Sequence, residues 1–350
     1  MDFTLDEEQS ALRDAVRGLL KVYDAEHRRE VCATDPGFDE SMWGRYAEMG
    51  LLGLPFAEAD GGMGAGPIEV GVVAEEIGRV VAPEPFVAAI VLAGGLVAEA
   101  GSEDQRSDLL GALASGERLL AFAAVPDDGR GAAEPVIQGA RADTIVWQVG
   151  TELFVGDRPA AATGYSTYDG GRAARLDFDR DAVTPLGTGG DASAAIALVT
   201  ARARIALCAE ALGAMDTALR LTTEYLRTRQ QFGVTLNRFQ ALTFRAADCY
   251  TSLELTRSIV NWATMVAADG MPEQVVDAAA RAKLQVARAG RHIGQEAIQL
   301  HGGIGMTAEY AVGHHTARLT AINHWLGDDR TMVAQLSSSL TDHTVLDPMG

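Results

Sequence analysis

The chain has 350 residues, 47% of them hydrophobic, enough for a sizeable core divided among about two or three domains. Lys+Arg 29 against Asp+Glu 48 leaves a net charge of −19, which repels nucleic acid and anionic lipid, so neither is expected as a partner. Any bound phosphate must then be held by a few placed cationic or backbone groups. The three cysteines, Cys32, Cys208 and Cys249, form no CxxC pair. A sparse, odd count argues against a disulfide framework, and no metal site is expected.

The acidic start, Met1-Asp2-Phe3-Thr4, lacks the basic n-region of a secretory signal. Thr4-Leu5-Asp6-Glu7 fits a capping box, and Leu12, Val16, Leu19 and Tyr23 follow at helical spacing. A second helix is expected over 40–49, stopping at Gly50. Asp60-Gly61-Gly62-Met63-Gly64 reads as a loop, and helical patterns resume over 67–116. The most apolar run, 85–98, is too short to span a bilayer, so the chain reads as soluble and cytoplasmic.

The texture changes at Leu119. Short strand-like runs follow, Thr144-Ile145-Val146-Trp147 and Leu153-Phe154-Val155 among them, and Leu176-Asp177-Phe178-Asp179 alternates with period two. Gly187 to Gly190 reads as a linker, with Asp191 as an N-cap. Two helical stripes come next: Ile205, Cys208, Leu212, Met215, Leu219 and Leu226, then Phe239, Leu242, Ala246, Cys249 and Leu253. Cys208 and Cys249 therefore read as buried, inert thiols. Pro272 suits the start of a third, alanine-rich helix. The expected fold is mainly α with a small β domain: an N-terminal helical domain (1–118), a middle β domain (119–187) and a C-terminal four-helix bundle (188–350).

Several segments in this order resemble the acyl-CoA dehydrogenase superfamily. Met1-Asp2-Phe3 with Asp6-Glu7-Glu8-Gln9 is similar to its N-terminal helix. Met49 to Pro55 through Gly61-Gly62-Met63-Gly64 resembles "GLLGLPxPxxxGGxG", and Glu75 to Arg79 resembles "EELGR". Arg229-Gln230-Gln231-Phe232-Gly233 with Phe239-Gln240 matches "RxQFGxxIxxFQ". Gln299-Leu300-His301-Gly302-Gly303-Ile304-Gly305 matches "QxxGGxG". The chemistry of the last two suits FAD. Arg229 offers a planar fork for pyrophosphate, Gln240 lies near a helix start, and Gly302-Gly303 lets a backbone approach a flat ring.

The resemblance implies that Arg229, Gln231, Phe232 and Gln240 reach the flavin of a neighbouring subunit and that Gln299, Leu300, His301, Gly302 and Gly303 meet the adenine end. At least a dimer follows, with acyl-CoA as substrate and an electron-transfer flavoprotein as acceptor. The variant "QxHGGIGxTxE", completed by Thr307 and Glu309, resembles a subgroup associated with actinobacterial steroid degradation. Those enzymes often pair two different family subunits, which implies a heterotetramer as the alternative to a homo-oligomer.

The family's base is a glutamate at one of two places, and neither holds an acid here. The early place falls near Ala203; the late one falls in Asn323-His324-Trp325-Leu326-Gly327, where "YEGT" is expected. His324 is the candidate base within the chain, since its ordinary pKa lies near neutrality. The middle domain departs too: Ala121 to Asp128 replaces "ITEPxxGSD", and the segment after it is short. Three readings stand: one subunit of a heteromer whose partner supplies the glutamate, a self-sufficient enzyme with a base such as His324, or a flavin-free structural or regulatory subunit.

Overall fold

A computed structural model describes residues 4–126, 129 and 131–338; Met1 to Phe3 and Asp127-Asp128, named above, lie outside them. Helix α1 (Glu7–Leu19) starts later than the Thr4 box implied. Asp6 is its N-cap, accepting from the Gln9 N–H at 2.8 Å while the Gln9 side chain accepts from the Asp6 N–H at 3.2 Å. The sequence admits both boxes, but the backbone is still extended at Asp6, so only the later one lies on a helix end. Helices α2 (Ala25–Ala33) and α3 (Glu40–Glu48) follow. Gly50, at φ +74°, turns the chain after α3 in the left-handed region that glycine tolerates.

Helix α4 (Pro67–Val80) lies against α7 (Ser193–Thr228) at backbone distance. A Cβ on Gly78 would sit 1.8 Å from the Glu210 carbonyl oxygen, and one on Gly213 would sit 2.0 Å from that of Glu75. The two glycines let the helices touch without a side-chain layer between them. The apolar run after α4 is a π-helical segment, Phe86–Gly94, with every residue buried. Helices α5 (Gly95–Ala100) and α6 (Glu103–Ala114) close this part.

Two small sheets follow. One has the order β1 (Leu120–Val125), β3 (Thr144–Val149), β4 (Glu152–Asp157), β7 (Thr184–Pro185); the other, β2 (Ala132–Ile137), β6 (Arg172–Asp177), β5 (Thr163–Ser166). β1 and β3 are parallel and the other pairs antiparallel. β3 is buried along nearly its whole length, as expected of a strand covered on both faces. The alternation at 176–179 is not one strand. β6 ends at Asp177, and Phe178 turns to pack on Trp147 and Phe154, with ring centroids 5.3 and 6.1 Å away.

The C-terminal part is a bundle of α7, α8 (Gln240–Asp269), α9 (Pro272–His301) and α10 (Ala311–His324), with α11 (Asp329–Ser338) packed on α9. Asp191 is not the N-cap of α7. Ala192 occupies that place, although the Asp191 carboxylate still accepts the Ser193 N–H at 2.9 Å. Cys208 and Cys249 are buried, and burial raises both thiols to about 12, which keeps them protonated and unreactive. No described helix is long and apolar enough to cross a membrane.

Candidate active site

A cavity of about 570 Å³ opens where the N-terminal helices, the β-sheet loops and the bundle meet. The end of α4 and the π-helical segment form one wall, the β5–β6 loop another, and Glu210, Arg318 and His324 of the bundle a third. A smaller apolar slot of about 190 Å³ shares Ala88, Pro135, Ile137, Trp325 and Leu326 with it and adds Phe122 and Ala124 of β1. His324, the last residue of α10, is exposed and lines the cavity. Its carrier helix is held from beneath. Lys283 of α9, fully buried, donates to the Ile322 and Asn323 carbonyls, and burial lowers its ammonium to about 8.

Three acids line the cavity, none of them singled out by sequence. Asp169 and Glu210 both accept from Arg318, at 2.9 and 2.6 Å. Burial pushes the Asp169 carboxyl up, but Arg318, Thr167 and the Gly171 N–H outweigh it and leave it below its ordinary value. Held so, the Asp169 carboxylate is a poor base. The third is Glu84, an acid between Pro83 and Pro85. Its Oε1 accepts from the Tyr23 hydroxyl and, at 3.2 Å, from the Asp39 N–H; its Oε2 is buried with no partner. Burial raises Glu84 to about 7, against the lowering effect of those hydrogen bonds.

A carboxyl with a raised folded pKa contributes stability that is present below its unfolded pKa of 4.5 and lost as pH rises through 7. Glu84→Gln is therefore expected to stabilise the protein by about 1–3 kcal/mol at pH 8 and by nothing measurable at pH 4.5. Urea unfolding at the two pH values checks this; equal effects at both would place the Glu84 carboxyl outside the buried setting.

The flavin-motif residues gather at another end of the bundle. Arg229 caps α7, Gln231 lies in the two-residue strand β8 (Gln230–Gln231), paired with β9 (Val234–Thr235), and Gln240 opens α8. All three are exposed. Phe232, at φ +53°, is 91% exposed, its ring 6.2 Å from that of Phe239. Gln299 is exposed and Leu300 buried at the end of α9, and Gly302, at φ +65°, terminates the helix.

The link between the two motifs is aromatic. The His301 ring stacks 4.6 Å from Tyr225 of α7 and lies 4.9 Å from Tyr310, so Gln299 to Gly303 sits beside the chain leading to Arg229. Sequence reading missed both tyrosines; Tyr225, four residues before Arg229, was the available signal. His301 bonds through Nδ1 to the Ala297 carbonyl at 2.7 Å, while Nε2 is buried without a partner. The His301 ring is thus packed within the bundle.

These features suit a flavin nucleotide. A Cβ added to Gly233, Gly302 or Gly303 would meet nothing within 4 Å, so main chain is approachable at all three, and Arg229 is in no ion pair among the described residues. The whole is a helical bundle joined to a small sheet domain across a cavity large enough for an organic substrate.

Family comparison assigns the class. Residues 6–117 match the acyl-CoA dehydrogenase N-terminal domain and residues 194–341 the C-terminal domain, and the chain belongs to the acyl-CoA dehydrogenase family, oxidoreductases acting on CH–CH groups. It is similar to acyl-CoA dehydrogenase IpdE2 of Mycobacterium tuberculosis, at 30% identity over 96% of this chain and 98% of that one. Among solved structures it resembles the Tcur3481-Tcur3483 steroid ACAD G363A variant, at 30% identity and TM-score 0.86 over 97% of this chain and 99% of that one. The ChsE4-ChsE5 complex of Mycobacterium tuberculosis shares the fold, at 24% identity and TM-score 0.84 over 99% and 100%.

Proposed function

We propose that this chain is one subunit of a heteromeric FAD-dependent acyl-CoA dehydrogenase, converting an acyl-CoA to a 2-enoyl-CoA, whose partner supplies the catalytic glutamate. The observation that carries it is that neither place where the family puts its glutamate holds an acid. The early base position falls near Ala203, which is fully buried in α7. The late one carries His324; of the three cavity acids, Asp169 and Glu210 are held by Arg318, and Glu84 accepts from the Tyr23 hydroxyl and the Asp39 N–H. The exposed surface around Phe232, Arg229 and Gln240 fits contact with a flavin shared between subunits, with Gln299, Leu300, His301, Gly302 and Gly303 at the adenine end. FAD, when bound, supplies the hydride acceptor. The residues of this chain enclose the acyl group, exclude water and hold the nucleotide. An electron-transfer flavoprotein as acceptor and a steroid-derived acyl group fit this reading, given the likeness to the Tcur3481-Tcur3483 steroid ACAD variant.

Copurification from the native host is expected to yield a second family subunit together with bound FAD. Comparable dehydrogenation by the chain alone, free of any partner, would refute the heteromer. A second reading is favoured by the place of His324 on the cavity wall: a self-sufficient enzyme with His324 as base. His324→Ala without loss of rate removes that alternative.

A further inference from the structure

One cation on the cavity wall makes no ion pair within 4 Å among the described residues, although the Asp169 charge acts on it from farther off. Arg28, on α2, is only 6% exposed and lines the cavity. Its Nε donates to the Val81 carbonyl at 2.7 Å and its Nη2 to the Asp169 carbonyl at 2.6 Å, both main-chain oxygens. It is in no ion pair within 4 Å among the described residues, the Asp169 carboxylate being turned to Arg318. Nη1 forms no hydrogen bond among those residues, yet it is not sealed off from water. Arg172, on the same wall, likewise donates only to main-chain carbonyls, those of Cys32, Thr34, Gly170 and Gly171. Gln138, 3% exposed and also on the wall, leaves its side-chain oxygen without a partner.

A buried guanidinium without a carboxylate loses much of its hydration and regains little from two neutral carbonyls. Burial accordingly lowers the Arg28 pKa from its ordinary value. A plain alkyl chain drawn into this cavity would displace the remaining water from Nη1 and give no hydrogen bond in return. A ligand oxygen carrying negative charge would restore the missing pair, and a planar fork receives a carboxylate well.

We infer that the cavity selects acyl groups bearing a carboxylate at the end remote from the thioester, received by Arg28. This rests on the acyl-CoA reading above and specifies its substrate class. Arg28 bridges the end of α4 and the β5–β6 loop, so a carboxylate bound there is fixed against both walls, and the acyl chain length that reaches it is set by the fold.

The test uses the full chain in the complex in which it copurifies, with matched probes: glutaryl-, adipoyl- and pimeloyl-CoA against pentanoyl-, hexanoyl- and heptanoyl-CoA. Binding is read by titration calorimetry, independent of turnover. Each pair shares the same CoA, so phosphate contacts cancel within it. The expected result is at least tenfold tighter binding of one dicarboxylic member, peaking at a single length. In Arg28→Met the preference should fall to within about threefold, in line with the loss of one charge-assisted hydrogen-bonded contact. If Arg28→Met does not fold, the length dependence in the unaltered protein decides. Equal binding within every pair, or a preference that persists in Arg28→Met, overturns the inference and leaves the acyl-CoA reading intact. Binding of neither series overturns that reading itself, and the inference with it.

Discussion

Arg318→Leu is expected to lower the unfolding free energy by about 3–5 kcal/mol, the range for removing one partner of a buried ion cluster. Arg318 sits on α10 and reaches two other parts of the molecule: Glu210 of α7 at 2.6 Å and Asp169 of the β5–β6 loop at 2.9 Å. Burial disfavours its charge, but Glu210 and Asp169 more than offset this and hold its pKa above the ordinary value. Leucine would leave two nearly buried carboxylates facing each other across the gap. They would take up protons instead, so the loss should shrink as pH falls toward the carboxylate range. Denaturant titration at pH 7.5 and pH 4.5 measures it. A change below about 1 kcal/mol at pH 7.5 would show that the three groups are well solvated, as surface pairs are.

The second large effect is an acid lability located in one histidine. His315 of α10 is 4% exposed and its Nδ1 is buried without a partner. Burial lowers it to about 3, helped by the charges of Arg28, His314 and Arg220. Below its ordinary pKa of about 6.5 the unfolded chain takes up a proton there that the folded chain refuses. Stability is therefore lost as pH falls from about 6.5 toward 3. Between pH 7.5 and 5.0 the loss from this residue is about 2 kcal/mol. Glu84 acts in the opposite direction over part of this window, so the readout is a difference between proteins. His315→Leu should lose about 2 kcal/mol less than the unaltered protein between the two pH values. Identical pH dependence would mean that His315 is protonated in the folded state.

The helices were legible because their signals are local. The stripe through Cys208 and Met215, the helix start at Pro272 and the turn at Gly50 depend on spacing and on single-residue conformational preference, and each survives in the structure. The failures are of two kinds. Asp6 displaced Thr4, and Ala192 displaced Asp191, because neighbouring polar residues can each satisfy a free N–H and sequence does not fix where the backbone turns helical. Phe178 left its strand because the aromatic cluster with Trp147 and Phe154 is a contact across the sheet, invisible to period-two counting.

The site was legible only in part for the same reason. Motifs name Arg229 and Gly302 because they are contiguous in sequence. Arg28, Glu84, Asp169, Glu210 and Arg318 come from five separate segments, and none carries a local pattern. What distinguishes Arg28 from a surface arginine is burial with main-chain carbonyls as its hydrogen-bond partners and no ion pair within 4 Å among the described residues, a property that exists only after folding. The ring contact from Tyr225 to His301, which sets the two flavin motifs side by side, is likewise long-range.

The contact of α4 with α7 through Gly78 and Gly213 has a consequence for how this pocket can change. Where main chain rests on main chain, substitution cannot add or remove depth; a larger residue at either glycine pushes the helices apart and carries Glu210 with them. The α4–α7 spacing is thus fixed, and the cavity is reshaped through the walls that do have side chains to exchange, such as Val87 on the π-helical segment and Tyr165 and Tyr168 on the sheet side. Attempts to retune substrate range should begin there, and libraries that include the two glycines should return mostly unfolded protein.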